Sequence, residues 1–544
     1  MTRKRPVPKG ELLAEGLNLH KAGRLSEAEA CYRRLLAADP KFARARALLG
    51  TLLHQAGNSA LAIDELERAI RDQPGEADMH INLGGVYHAV DRFADAAESC
   101  RRAIRLNPDV AAAYLNLGEA LRQVGDWKDA LQAYQSYLRL RPTDGVGRGA
   151  LGDTLKELGD YEAAMAAFEE ALIYAPEHPG VYIGMSDLMF RKRLPGTALL
   201  LLEKAAATAP RDRDVNRRYG EMKFLCGDLA GGWDLFDENR FTLDDRGIVR
   251  RPTPPPYWHG EDLTNKHILV WNEQAVGDET LYANSLSDLI ARAGNCVLAC
   301  SERMAPIFAR SFPGAEVRAW DGMQLPVRAG DCFDFQIAIG SLGRYLRRDF
   351  ASFPKHEGYL KADPDKTARL RRKYEEVAGG RRIVGLAWKS AHRVYGLSKS
   401  ATLAEFGTIL EVPGTLFVNL QYGDCAEEIK AAKQKFGVEI HQDPEIDPLA
   451  DMDGFFAQVA AMDLVISTSN SAAHVAGALN VPTWLLLPHG RGALWYWFLR
   501  REDSPWYPSM KIFRATGAVT GQPWEIDAIS RAGALLAQWV RGQG

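Results

Sequence analysis

The sequence predicts an α + α/β protein: an N-terminal helical solenoid followed by a pair of doubly wound α/β lobes. Three observations predict it. Prolines recur every 34 residues through the first 212 positions, at Pro40, Pro74, Pro108, Pro142, Pro176 and Pro210. A proline cluster in "RRPTPPPYWHG" (250–260) ends that rhythm. Beyond it, short β-branched apolar runs alternate with stretches of helical spacing, the pattern of buried parallel sheets.

The period of 34 is that of the tetratricopeptide helix pair. Twenty-four residues before each proline stands a small residue, at Gly16, Gly50, Gly84, Gly118, Gly152 and Ser186, where two helices must touch. Twelve residues before each proline stands an alanine, at Ala28, Ala62, Ala96, Ala130, Ala164 and Ala198. Six repeats therefore fill residues 9–212. Their apolar faces are buried by stacking on neighbours, which makes aromatics such as Tyr87, Phe93, Tyr134 and Phe168 core residues. Residues 213–249 read as a degenerate seventh unit, with Gly220 in phase but Gly232 at the alanine position. Its face meets the next domain through Trp233, Leu235 and Phe236.

Asn82 and Asn116 share one column, two residues before Gly84 and Gly118. That column points to the inner groove of such superhelices, where an amide donates to and accepts from a peptide backbone at once. The alternative is two solvated polar residues on an exposed face.

Residues 250–262 are an extended connector, because prolines forbid helix there. Strands are expected at 267–271, 296–300, 334–339, 383–388, 416–421, 463–468 and 483–488. Helical stretches are expected at 280–292, 301–311, 424–436 and 453–461. They form one lobe over 263–365 and a second over 380–520, divided by the charged segment "DPDKTARLRRKYEEV", with a C-terminal helix in 521–544. A substrate cleft belongs between two such lobes.

Composition narrows the function. Apolar residues make up 46% and charged residues 25% of 544 positions, the balance of a globular chain. A net charge of −3 gives no electrostatic reason for a nucleic-acid partner. No apolar run of about 18 residues is available to span a bilayer, and the basic start is not followed by an apolar segment. A cytoplasmic location is expected, with the seven scattered cysteines as free thiols.

The first strand ends in "NEQAVGD". Gly277 permits a sharp strand-to-helix turn and Asp278 enters the first turn of the helix, either as a cap or as a functional carboxylate at the carboxyl edge of the sheet. The accompanying Glu273 and Gln274 exceed what a cap requires. In the second lobe, "DLVISTSNSAAHVAGALNVPTWLLLP" reads as strand, polar turn, helix, strand. Ser469, Asn470 and Ser471 surround a helix start whose free N–H groups suit a phosphate. His474 in its first turn is a ligand contact or a structural histidine. Lys389 and Arg393 follow another strand and offer positive charge, and Gln421 with Tyr422 could hold a nucleoside. Asp451 and Asp453 open a helix and read as its cap, so no metal is expected.

On these motifs, residues 255–515 resemble the bacterial glycosyltransferases of GT-B architecture that are joined to tetratricopeptide arrays. These are similar to heptosyltransferases and, in layout, to O-linked N-acetylglucosamine transferase. The family string E-Q-G-x-G-D stands here as Glu273, Gln274, Ala275, Val276, Gly277 and Asp278. The string A-H-x-A-G-A-L-G stands as Ala473 to Asn480, and "SPWYPSM" (504–510) is a further likeness. Two departures occur: Ala275 replaces a glycine, and Ser469-Asn470 stands where relatives carry Asp-Thr.

The resemblance implies an inverting, metal-independent transfer without a cofactor. Asp278 would be general base to an acceptor hydroxyl and the Asn470–His474 turn would hold the phosphate of a nucleotide-sugar. The acceptor would be Ser or Thr of a protein held by the solenoid, with flagellin or another bacterial surface protein, and a nonulosonic acid from a CMP-sugar, as candidates. Two alternatives stand beside it: a transferase acting on lipid-linked or oligosaccharide acceptors, recruited by the solenoid, and an inactive protein-interaction scaffold.

Overall fold

The computed structural model describes residues 8–240, 255–272, 275–320, 326–390, 396–488, 494–516 and 526–542. The chain divides into two compact units, Met1–Leu188 and Met189–Gly544. The division falls inside the helix Pro179–Arg191, upstream of the end of the 34-residue period.

The first unit is a tetratricopeptide solenoid of antiparallel helix pairs, opening with Lys9–Lys21 and Leu25–Ala38. Its two sequence columns are its packing columns. Ala28, Ala62, Ala130 and Ala164 are fully buried and Ala96 is 1% exposed. A Cβ at Gly16 would lie 2.8 Å from the Tyr32 ring, one at Gly118 would lie 2.7 Å from Tyr134, and one at Gly152 would lie 2.8 Å from Phe168. The small residue on the first helix of each pair thus receives a larger one from the second helix. Gly84 would meet Cys100 Sγ at 2.9 Å, whereas the adjacent Gly85 has open space, so the close approach belongs to the column and not to glycine as such. A further column closes several of the turns. The proline carbonyl accepts a hydrogen bond from the side chain six residues on, from Arg46, from Arg148 at 2.7 Å and from Tyr182 at 2.9 Å. That bond satisfies a carbonyl which the proline turn would otherwise leave without a partner.

The second unit begins with the helices Pro195–Thr208, Arg213–Cys226 and Leu229–Arg240. They continue as the core of the α/β region. Trp233 is fully buried and donates from Nε1 to Arg347 O at 2.9 Å, and the Phe224 ring stacks on Trp495 with centroids 4.3 Å apart. Trp233 and Phe236 therefore meet the next domain, as their place in the degenerate unit suggested.

Two parallel sheets follow. The first lobe contains β1 (His267–Trp271), β2 (Asn295–Cys300), β3 (Glu316–Ala319) and β4 (Phe335–Ala338), in the order β3-β2-β1-β4. The second contains β5 (Arg382–Ala387), β6 (Thr415–Asn419), β7 (Ile440–His441), β8 (Leu464–Thr468), β9 (Thr483–Leu487) and β10 (Met510–Arg514), in the order β10-β9-β8-β5-β6-β7. Between the lobes runs the helix Pro364–Ala378, capped by Asp363. All the pairings between these strands are parallel, which places helices on the sheet faces and explains why the strands read as unbroken apolar runs. The α + α/β class predicted from the sequence is the class found.

Some details differ from expectation. The helix expected to run from Asp278 to Ile290 is broken into Val276–Tyr282, a tight turn at Ala283–Ser285, and Leu286–Ile290. β3, β7 and β10 were not anticipated; β7 has two residues and β3 four, too short for a periodic signal. The end of the connector is docked: Tyr257 pairs with Gln336 beside β4, and Trp258 N donates to Gln336 O at 2.9 Å.

Candidate functional site

In the second lobe the chain winds outward from β5 through β6 to β7, and in the opposite direction from β8 through β9 to β10. β5 and β8 are neighbours, so a crevice opens outside their carboxyl ends, the place where α/β proteins bind ligands. The first lobe repeats this at β1 and β4. The Gly277–Asp278 turn follows β1 and the Ser469–His474 turn follows β8. Both border one cavity of about 570 Å³.

On the first-lobe side, Asp278 is the third residue of the helix Val276–Tyr282, whose N-cap is Ala275 and makes no side-chain cap bond. Asp278 is half-buried and enjoys the helix dipole without acting as the cap itself. The next residue fixes the turn. Glu279 is buried and accepts from Ser301 N at 3.0 Å and Ser301 Oγ at 2.8 Å, tying the helix to the end of β2. Burial pushes its carboxyl above the ordinary range.

On the second-lobe side, Asn470 is the N-cap of the helix Ser471–Ala478. Its Oδ1 accepts from Ala472 N at 3.0 Å and Ala473 N at 3.4 Å, and its Nδ2 donates to Lys389 O at 3.1 Å. Two of the N–H groups expected to be free for a phosphate are therefore taken. Ser471, next to the cap, is the turn residue whose hydroxyl has no partner among the described residues. Ser469 Oγ accepts from Trp497 Nε1 at 2.9 Å. His474 is buried, stacks on Trp497 at 5.1 Å and lies 2.7 Å through Nδ1 from the Tyr507 hydroxyl. Burial, aided by the Lys399 charge, pushes its pKa down to about 3, so the ring is neutral.

The predicted residues fall into three groups. Gly277, Asp278, Tyr422, Ser469, Asn470, Ser471 and His474 come together around the cavity. Lys389 and Gln421 do not border it. The Lys389 ammonium pairs with Glu428 at 2.7 Å, and the Gln421 amide accepts from Trp388 N and Lys389 N, stitching the ends of β5 and β6. Glu273, Gln274 and Arg393 lie outside the described residues. Asn82 and Asn116 are in the first unit, each half-buried on the first helix of its pair, with no side-chain hydrogen bond among the described residues. Asp451 caps the helix Met452–Ala460 by accepting from Gly454 N, while Asp453 pairs with Arg310 and Lys366.

The sequence reading missed a buried cation that borders the cavity, as do Arg217 and Arg303. Lys399, at the end of the short helix Gly396–Lys399, is 6% exposed and borders the cavity with no ion pair or hydrogen bond among the described residues. Burial lowers its pKa from the ordinary lysine range, and Asp278 offsets part of that shift. Tyr496 was also missed; burial and the Asp278 charge hold its hydroxyl protonated. Arg217, Glu221 and Phe236 complete the wall from the helices that precede the sheets.

Comparison with known proteins places the first part of the chain among the tetratricopeptide repeats, matched over residues 13–77, 83–145 and 155–217. The chain is 36% identical over 302 residues to Protein FlbA of Caulobacter vibrioides, an alignment covering 53% of this chain and 49% of FlbA. It thus spans about half the length of that curated relative. Among solved structures, Pseudomonas aeruginosa pilF is 20% identical, covering 39% of this chain and 97% of pilF, with a TM-score of 0.35. YrrB, described as a TPR protein with an unusual peptide-binding site, is 20% identical, covering 34% of this chain and 95% of YrrB, with a TM-score of 0.30. Tetratricopeptide repeats make this chain a carrier of a protein-interaction module. No described helix is long and apolar enough to cross a membrane.

Proposed function

We propose that the second unit is a glycosyltransferase and that the repeats hold its protein acceptor. One observation carries this reading: a carboxylate on one lobe and, on the other, a buried ammonium with no ion pair or hydrogen bond among the described residues, together with the Ser471–Ala478 helix start, share one cavity at the switch points of two parallel sheets. That arrangement suits an acid–base task next to an anionic leaving group. Asp278 takes the proton of the acceptor hydroxyl as its oxygen attacks the anomeric carbon. The bond from that carbon to the nucleotide phosphate breaks, and its electron pair leaves on the phosphate oxygen. Lys399 balances the charge gathering there, and the Ser471 hydroxyl and N–H, beside the Asn470 cap, provide hydrogen bonds. A low dielectric around the buried ammonium strengthens that attraction over its value in water.

The acceptor in this reading is a Ser or Thr of a polypeptide, with a bacterial surface protein such as flagellin as first candidate. A CMP-linked nonulosonic acid is the first candidate donor. Incubating the full chain with a panel of nucleotide-sugars and measuring nucleotide release tests the donor half. Intact-mass measurement of candidate proteins co-expressed with the chain tests the acceptor half. Release from one donor and a matching mass increment on one protein are expected. Absence of release from every donor would return the chain to the role of an interaction scaffold.

A further inference from the structure

We infer that the ion pair Arg217–Glu221 grips the main chain of an extended Ser/Thr-containing polypeptide at the cavity wall, making the first helix of the degenerate seventh unit the acceptor-positioning element of the site. The inference takes its purpose from the transferase reading, while the binding it describes is measured without turnover.

Arg217 and Glu221 lie four residues apart on the helix Arg213–Cys226, so they share one face, and both border the cavity. Arg217 donates from one nitrogen to Glu221 Oε1 at 2.6 Å and from another to Asp214. A guanidinium has five donors in a fixed fork, so donors remain, as does the second carboxylate oxygen of Glu221. The two side chains are each partly exposed and both border the cavity. A donor and an acceptor held side by side complement one peptide unit, whose C=O accepts and whose N–H donates. Because the charges are paired, the grip favours a neutral main chain over an acidic or basic side chain.

Other parts of the wall have roles in the transferase reading. The Asn470 turn and Lys399 serve the anionic donor, and Asp278 faces the reacting hydroxyl. The stretch from Arg217 and Glu221 to Phe236 borders the same cavity and is assigned to neither the donor nor the base. Sequence register agrees: Gly220 continues the Gly84 column, which sets Arg217 and Glu221 in the columns of Ile81 and Gly85, on either side of Asn82. The helix itself is fixed by other groups, namely the Asp212 cap and the Phe224–Trp495 stack, so the pair is not needed to hold it in place.

The test uses the full chain and a fluorescein-labelled (Gly-Ser)8 peptide, which offers main chain and hydroxyls and no charged side chain. Anisotropy should show saturable binding by the unaltered protein. The double change Arg217→Ala, Glu221→Ala should weaken it at least tenfold, and Arg217→Lys, which keeps the charge but loses the fork, should weaken it severalfold. Glu221→Gln keeps an acceptor oxygen and should retain most of the affinity. Unchanged binding in both the double variant and Arg217→Lys would overturn the inference, as would no binding by the unaltered protein at about millimolar peptide. Nucleotide release, followed separately on the same protein, stands or falls with the transferase reading alone.

Discussion

The turns after β1 and β8 both border the switch point of their respective sheets, yet they spend their polar groups differently. After β1 the helix start has no side-chain cap, and its carboxylate, Asp278, borders the cavity. After β8 the start is sealed by its own asparagine, which takes two N–H groups and reaches back to Lys389 O. The first turn presents chemistry, and the second presents a rigid frame with one hydroxyl and a neutral histidine. A place at a switch point therefore predicts where a site lies but not which polar groups serve the frame and which the cavity.

The largest test of this contrast is Asp278→Asn. The helix does not rely on Asp278 as its cap, so the fold should hold while transfer falls by roughly two to four orders of magnitude; near-normal turnover with an intact fold would make Asp278 a bystander. Next comes Lys399→Met. Loss of a charge-assisted contact should weaken donor binding by about tenfold or more, seen by calorimetry. Removing a buried ammonium that makes no ion pair or hydrogen bond among the described residues should also raise Tm by roughly 2–4 °C, the stability–function exchange expected of a binding residue. A variant that lost stability would place Lys399 in the frame rather than in the ligand site.

Asn470→Ala addresses the other turn. Losing the cap should cost about 1 kcal/mol of unfolding free energy, read by denaturant titration. The smallest effect concerns pH. His474 in the folded protein has its pKa lowered to about 3 from 6.5, so the unfolded chain takes up the proton first. Stability present above pH 6.5 should therefore decline as pH falls through that window toward 3, and His474→Gln should flatten that part of the Tm profile.

Periodicity made the solenoid legible, since every column of small residues, alanines and prolines repeats one packing contact. Strands flanked by Gly and polar turns were legible for the same local reason, and so were both site turns. Lys399 was not. It follows no strand and belongs to no period, and only the folding of "GLSKS" against the cavity gives it a role. Lys389 misled for the converse reason: its sequence position beside a strand end is right for a ligand, but Glu428, on the helix Ala426–Phe436, reaches it first. Asn470 shows the same limit, because a short amide after a strand reads equally as ligand and as cap until its distances are known.

The glycine column of the repeats has a consequence for how such a chain can change its length. Each glycine is met by a residue of its own repeat, and those residues range from Cys100 and Leu66 to Tyr32 and Phe168. The socket is common while the plug varies. An unequal crossover that removes or adds one period would join a first helix from one repeat to a second helix from another, and the joint would still close. Selection can therefore lengthen or shorten the array in whole steps without first redesigning its core, leaving the reach of the solenoid free to follow the partner it must hold.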